Sequence, residues 1–79
     1  MNFVYILECS DGTLYTGWTT DIERRLEEHN SGIGSKYTRG RYPVKLKYLE
    51  EFDTKEKAMS REFAIKKLSR AEKIALFNL

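Results

Sequence analysis

Side chains that phosphodiester chemistry can use occur at short spacing in this chain. Tyr5 and Tyr15 lie ten residues apart, Arg25 and His29 follow one helical turn apart, and Glu62 stands alone downstream. A phenol or an imidazole can relay a proton, a guanidinium can hold two phosphate oxygens, and a carboxylate can bind a divalent cation. Metal-assisted phosphodiester cleavage is therefore available, provided that the fold brings these groups together.

Length and composition limit the alternatives. The 79 residues form one domain, 1–79, and a hydrophobic share of 41% can supply its core. No apolar run is long enough to span a membrane, and no cleavable leader is evident. Cys9, the single cysteine, can neither close an intramolecular disulfide nor build a zinc site alone. We therefore expect a cytoplasmic protein.

A basic segment lies in the middle of the chain. No acidic residue occurs from His29 to Leu49, and tyrosines are interleaved with the cations there. Cations meet phosphates and aromatic rings stack on bases, so this segment is a candidate nucleic-acid surface. Its selected residues are Lys36, Tyr37, Arg39, Arg41 and Lys45. The alternative is a solvated loop and strand edge whose charges prevent aggregation.

Turn, capping and periodicity signals predict six elements. The strands are expected over 3–7, 13–19 and 44–52, and the helices from a Thr20 capping box to about Asn30, over 55–68, and from a Ser69 capping box onward. Residues 31–43 are expected to form a basic loop with one helical turn. The order ββαβαα indicates an α+β fold, with a small three-stranded antiparallel sheet flanked by helices.

The hairpin turn decides whether the two phenols share a face of the sheet. A two-residue loop would pair Tyr5 with Trp18 and would put Tyr15 on the other face. A three-residue loop with Gly12 in the left-handed region would pair Tyr5 with Gly17 and align both phenols. We predict the three-residue loop. We also expect the missing side chain of Gly17 to leave a hollow beside Tyr5 that a phosphate can enter.

Glu62 is predicted to face inward on its helix. Ala58, Met59 and Ile65 lie three or four residues away, so the carboxylate falls within an apolar stripe. A buried carboxylate needs a cation, hydrogen bonds or a metal ion. A salt bridge to Arg25 or Lys66 is the structural alternative to a metal site.

Arg25 and His29 are predicted to project toward one edge of the first helix. Arg24 has charged neighbours one turn away, which indicates an exposed surface, so Arg25 is the inward arginine. A guanidinium in that place suits a phosphate. His29 is either a base or proton relay, or a hydrogen-bonded structural residue at the core margin.

Four segments together resemble a known family. Val4-Tyr5-Ile6, Leu14-Tyr15-Thr16-Gly17, residues 21–29 and residues 58–62 are similar in order and spacing to the GIY-YIG nuclease superfamily. The likeness covers essentially the whole chain and is closest to the small stand-alone bacterial members. The motifs read Phe3-Val4-Tyr5 in place of Gly-Ile-Tyr and Tyr15-Thr16-Gly17 in place of Tyr-Ile-Gly, so both phenols are kept.

The resemblance implies a phosphodiesterase centre with one divalent ion, usually Mg²⁺, with Mn²⁺ as the alternative. By position, Tyr5 matches a tyrosine proposed to help activate water, and Tyr15 a tyrosine near the scissile phosphate. Arg25 matches the arginine that stabilises phosphate charge. His29 matches a histidine that assists proton removal in some members, and Glu62 matches the metal-binding glutamate.

The expected function is therefore metal-dependent endonuclease cleavage of DNA, at structured or damaged sites or with a protein partner that supplies specificity. The resemblance also implies weak, salt-sensitive DNA binding, because family nucleases usually carry a separate DNA-binding module and 79 residues leave no room for one. One alternative is a catalytically silent nucleic-acid-binding module with the same fold. Another is a structural domain whose tyrosines merely pack.

Overall fold

Three antiparallel strands form the sheet, and the first strand lies at its centre in the order β2-β1-β3. The computed structural model describes residues 1–78. The elements are β1 Asn2–Glu8, β2 Leu14–Thr19, α1 Ile22–Asn30, β3 Lys45–Phe52, α2 Lys55–Lys66 and α3 Arg70–Phe77. The predicted α+β class, the order ββαβαα and the three-stranded sheet are confirmed. Within the described part of the chain, no helix has both the length and the apolarity to cross a bilayer.

The β1–β2 hairpin has the predicted three-residue loop. Gly12 adopts φ +85°, where a side chain would be strained, and its N–H donates to the carbonyl of Cys9 at 2.9 Å. As a result Tyr5 pairs with Gly17, and Leu7 pairs with Tyr15. Side chains alternate along a strand, so both phenols project from one face of the sheet.

Each face of the sheet is covered by helices. Val4 and Ile6 pack with Ala58 of α2 and with Leu76 and Phe77 of α3. Tyr5 and Leu7 project the other way, and their cluster includes Ile22 and Leu26 of α1. The unbroken apolar run of β1 is therefore explained by burial on both sides.

The helix caps differ from the sequence prediction at one place. The first helix is capped by Asp21 rather than Thr20, because the Asp21 carboxylate accepts from the backbone N–H of Arg24 at 3.1 Å. The predicted capping box of α3 is present, with Ser69 and Glu72 each bonding the other's backbone N–H. Helix α2 ends at Lys66, before the predicted Leu68.

The segment between α1 and β3 folds back onto the sheet. One helical turn is present, since the N–H of Arg39 donates to the carbonyl of Ser35 at 3.1 Å. The N–H of Ser10 in the hairpin loop donates to the carbonyl of Arg41 at 2.7 Å. At the end of the segment, the N–H of Val44 donates to the side chain of Asn30 at 2.7 Å. These bonds hold the loop over the face that carries the two phenols.

Candidate active site

The Tyr5 hydroxyl is the centre of a buried polar network. Its side chain is 1% exposed at the middle of the sheet. The hydroxyl oxygen lies 3.0 Å from Nε2 of His29, and it accepts a hydrogen bond from Nε of Arg25 at 3.3 Å. Strand β1 and helix α1 therefore bring three of the predicted site residues into direct contact.

The environment of Tyr5 holds its phenol in the protonated form at neutral pH. Burial raises the pKa of Tyr5 to about 12, and the negative charge of Glu62 and the neighbouring Tyr15 act in the same direction. The hydrogen bond from Arg25 opposes this rise. Tyr5 can therefore accept a proton readily only if its own proton leaves at the same time.

His29 is fully enclosed, and both of its ring nitrogens have partners. Nε2 lies next to the Tyr5 hydroxyl, and Nδ1 lies 2.8 Å from Oγ1 of Thr38. Burial and then the positive charge of Arg25 lower the pKa of His29 to about 4. The imidazole is therefore neutral at pH 7, with one nitrogen free to accept a proton. The sequence left open whether His29 is a proton relay or a structural residue. Its position is compatible with both roles, because the ring is buried and also contacts the Tyr5 hydroxyl.

Tyr15 completes an aromatic cluster around the imidazole. Its ring centroid lies 6.3 Å from that of Tyr5 and 5.1 Å from that of His29. On the loop side, the Tyr37 ring lies 5.6 Å from Tyr15. The two phenols predicted to share a face thus lie side by side, with Tyr37 extending the cluster to the surface.

Arg25 faces inward, whereas Arg24 is exposed. In addition to its bond to Tyr5, Arg25 pairs with Glu28 at 3.1 Å, not with Glu62. A polar cleft of about 390 Å³ opens beside the guanidinium and is lined by Trp18, Thr19, Thr20, Arg24, Arg25 and Glu28. A phosphate in this cleft would meet Nη2 of the guanidinium, because Nε is bonded to Tyr5 and Nη1 to Glu28.

Glu62 lies on the partly buried side of α2, with its side chain 19% exposed. Ala58 and Ile65 beside it are buried, but Met59 is 44% exposed, so the apolar stripe is narrower than the sequence suggested. The carboxylate has an ion pair with Lys66 at 3.5 Å. Its negative charge makes a small contribution to the raised pKa of Tyr5, after burial and the neighbouring Tyr15.

The donor set fits a lightly held divalent ion. Among residues 1–78, no three His, Cys, Asp or Glu side chains come together as a preformed metal cage. Mg²⁺ commonly keeps several waters and binds through one or two carboxylates plus substrate phosphates, so it does not need such a cage. Glu62 offers a single, partly buried carboxylate, which is compatible with that mode of binding.

The cations of the basic segment differ in whether they already form an ion pair. Arg41 pairs with Asp11 at 3.2 Å, and its guanidinium lies 4.4 Å from the centroid of the Tyr37 ring. Lys36, Arg39 and Lys45 are exposed and form no ion pair within the described chain. Tyr37 already packs on Tyr15 and under Arg41, so its ring is less available for stacking on a base than the sequence indicated.

The hollow expected at Gly17 is filled. A Cβ at this position would lie 2.5 Å from the Tyr5 hydroxyl oxygen and 3.2 Å from the Tyr15 ring. The phenol of Tyr5 itself occupies the space that the missing side chain leaves. Gly17 therefore accommodates Tyr5 rather than an incoming phosphate, and the expectation of a phosphate pocket there was wrong.

Sequence reasoning missed two residues that contact His29. Thr38 bonds to Nδ1, and a Cβ at Gly34 would overlap the same ring. Both lie in the irregular segment before β3, where no periodic pattern fixes which side chains turn inward. A signal was nevertheless present, because a buried imidazole needs a polar partner for each nitrogen and the loop is rich in hydroxyls.

Comparisons with known proteins identify the family. The family model described as the GIY-YIG catalytic domain matches residues 1–75. The chain therefore belongs to the GIY-YIG family, as the sequence resemblance predicted.

Its relatives include proteins of the group named UPF0213. A UPF0213 protein of Halobacterium salinarum is 64% identical, over 98% of this chain and 100% of that protein. Another, of Clostridium perfringens, is 58% identical over 99% of this chain and 84% of its own length. The solution NMR structure of a UPF0213 protein from Bacillus halodurans has a TM-score of 0.63 at 53% identity, covering 99% of this chain and 84% of that one.

Proposed function

We propose that this protein is a metal-dependent endonuclease that hydrolyses DNA phosphodiester bonds. The observation that supports this most directly is the Tyr5 hydroxyl, which contacts both His29 and Arg25. A base partner and a cation at one phenol oxygen are what proton removal beside a phosphate requires.

Water activation would proceed through Tyr5 without a persistent phenolate. The phenol oxygen takes a proton from water while the phenol proton passes to Nε2 of His29, 3.0 Å away. The low pKa of His29 keeps the imidazole neutral beforehand and makes the protonated ring a strong acid, so the ring would hold the proton only transiently and return it. The proton can then return through the Tyr5 hydroxyl to the product alkoxide.

Arg25 and Tyr15 would orient the phosphate. Arg25 has its Nε committed to Tyr5 and its Nη1 to Glu28, which leaves the N–H groups of Nη2 for a phosphate entering from the adjacent cleft. The Tyr15 ring lies beside both Tyr5 and His29, so its hydroxyl can bond a non-bridging oxygen of the same phosphate. Positive charge placed where negative charge develops is generally a large contribution to catalysis.

Glu62 would hold the divalent ion, Mg²⁺ or Mn²⁺. When bound, such an ion polarises the phosphoryl oxygens as a Lewis acid. The carboxylate would have to exchange its Lys66 contact for the metal, and a 3.5 Å pair whose lysine is 53% exposed is weak enough to allow this.

DNA would be held weakly by the exposed cations of the loop and of β3. If Lys36, Arg39 and Lys45 each neutralise one phosphate, the logarithm of the binding constant should fall with the logarithm of salt concentration with a slope of about −3. Such a small contact makes structured or damaged DNA, or a partner protein, the natural source of specificity.

Cleavage of supercoiled plasmid, branched duplex and abasic duplex in Mg²⁺ or Mn²⁺ tests the proposal. Tyr5→Phe and Glu62→Gln should each lower the rate by about 10²-fold or more, since each removes a group that acts in the transition state. Tyr42→Phe and Glu56→Gln, at exposed positions, are the matched controls and should cleave normally.

Two outcomes would contradict the proposal. Equal cleavage by Glu62→Gln and by the wild type would remove the proposed metal role. Salt-dependent DNA binding by a wild type that cuts none of these substrates would instead favour the silent binding module.

A further inference from the structure

We infer that Thr38 is a positioning residue that fixes which nitrogen of His29 carries the proton. Thr38 and His29 are both 0% exposed, and Oγ1 of Thr38 lies 2.8 Å from Nδ1 of His29. No water can reach either group from bulk solvent without a structural change. The hydroxyl therefore decides how Nδ1 is satisfied.

The surroundings of Thr38 favour one direction for its single hydroxyl hydrogen. Oγ1 of Thr38 lies 3.4 Å from the carbonyl oxygen of Ser35 and 3.1 Å from the Ser35 hydroxyl. When Thr38 donates to Ser35, its lone pair is directed at His29, and Nδ1 must then carry a hydrogen. In that tautomer Nε2 is unprotonated and accepts from Tyr5.

The opposite tautomer would block the proposed chemistry. If Thr38 donated to Nδ1, Nε2 of His29 would carry the hydrogen and would point it at the Tyr5 oxygen. That oxygen already accepts from Arg25 at 3.3 Å. Tyr5 could then accept two hydrogen bonds but could not pass its own proton to the imidazole, so proton removal from water would lose its acceptor.

The loop also restricts where the ring can go. A Cβ at Gly34 would overlap Nδ1 and Cγ of His29, so the Gly34 backbone lies directly against the imidazole. Ser35 and Thr38 follow in the same turn, and the N–H of Thr38 donates to the Ser35 hydroxyl at 3.2 Å. The turn therefore presents Oγ1 of Thr38 to a ring that has little freedom to rotate.

This role is the one that an orienting group plays for a catalytic histidine, here filled by a neutral hydroxyl. A neutral partner sets the tautomer without adding charge to a buried site. The inference rests on the proposed function for its effect on catalysis. The tautomer itself can be measured whether or not the protein cleaves DNA.

The test uses ¹⁵N NMR of the His29 ring in the full chain. The wild type should show a protonated Nδ1 and an unprotonated Nε2. Thr38→Val replaces the hydroxyl with a methyl group of similar shape and should move the ring to the Nε2–H tautomer, whereas Thr38→Ser should restore the wild-type pattern. Thr16→Val is the matched control, because Thr16 is also buried and its hydroxyl has no partner in the described chain.

Activity provides the second readout. Thr38→Val should lower kcat by at least about tenfold with unchanged DNA binding, as expected when general base catalysis is impaired. An Nδ1–H ring in Thr38→Val would overturn the inference, as would an Nε2–H ring in the wild type. If Thr38→Val does not fold, the ¹⁵N spectra of the wild type and of Thr38→Ser test the inference, and both should show the Nδ1–H tautomer. A wild type that cuts no DNA but has the Nδ1–H tautomer would refute the proposed function alone.

Discussion

Burial of His29 should make the stability of the protein depend on pH between 7.5 and 5. The pKa of this histidine is 6.5 when unperturbed and about 4 in the folded protein. As the pH falls from 6.5 toward 4, His29 therefore binds a proton in the unfolded chain but not in the folded protein. Stability present above pH 6.5 is lost as the pH falls toward 4.

The magnitude follows from the two pKa values. The difference between the two pKa values corresponds to about 3 kcal/mol in the free energy of unfolding. About 2 kcal/mol of this should be lost between pH 7.5 and pH 5. His29 is the only histidine in the chain. Most carboxylates titrate below this window, so the effect should belong largely to one residue.

Urea unfolding at several pH values between 7.5 and 5 measures this loss. His29→Gln carries no titratable group at the same place, and its free energy of unfolding should be nearly constant over the window. The two proteins are compared by how much the free energy of unfolding changes with pH. The variant is expected to be less stable at every pH, and this constant difference does not affect the comparison. Parallel profiles, or a wild-type change below about 0.5 kcal/mol, would refute the reasoning that burial controls this histidine.

Three further predictions concern stability, each measured by urea unfolding against the wild type. Thr16→Val should stabilise the fold by about 1 kcal/mol, because the buried hydroxyl has no partner in the described chain; a loss of stability would mean that it has one. Gly17→Ala should cost about 1–3 kcal/mol by displacing the Tyr5 phenol, and an unchanged value would contradict the close packing. Ser69→Ala should cost about 1 kcal/mol through loss of the α3 capping box with Glu72, and no effect would indicate a frayed helix start.

Features set by neighbouring residues were predictable from the sequence. The hairpin register follows from a loop of three residues that ends in Gly12, and the start of α3 follows from the capping box at Ser69. The inward orientation of Arg25 follows from the charged surroundings of Arg24 on the same helix. In each case the deciding contacts lie within a few residues along the chain.

Features set by long-range packing were not predictable. Asp21 and Thr20 are adjacent and both are good N-cap residues, so only the actual path of the chain selects Asp21. The direction of the Tyr5 ring decides whether the space above Gly17 is open or filled. Thr38 reaches His29 through an irregular loop, where side-chain direction has no period that a sequence could reveal.

The contacts of the phenol network all lie within residues 5–38, whereas Glu62 belongs to a helix that packs on the opposite face of the sheet. Contacts between nearby segments generally form sooner during folding than contacts that close a long loop. A refolding chain should therefore join Tyr5 to His29 before α2 docks and brings in the carboxylate. If Glu62 has its proposed metal role, the proton relay and the metal site would therefore be assembled by two different packing steps, one on each face of the sheet.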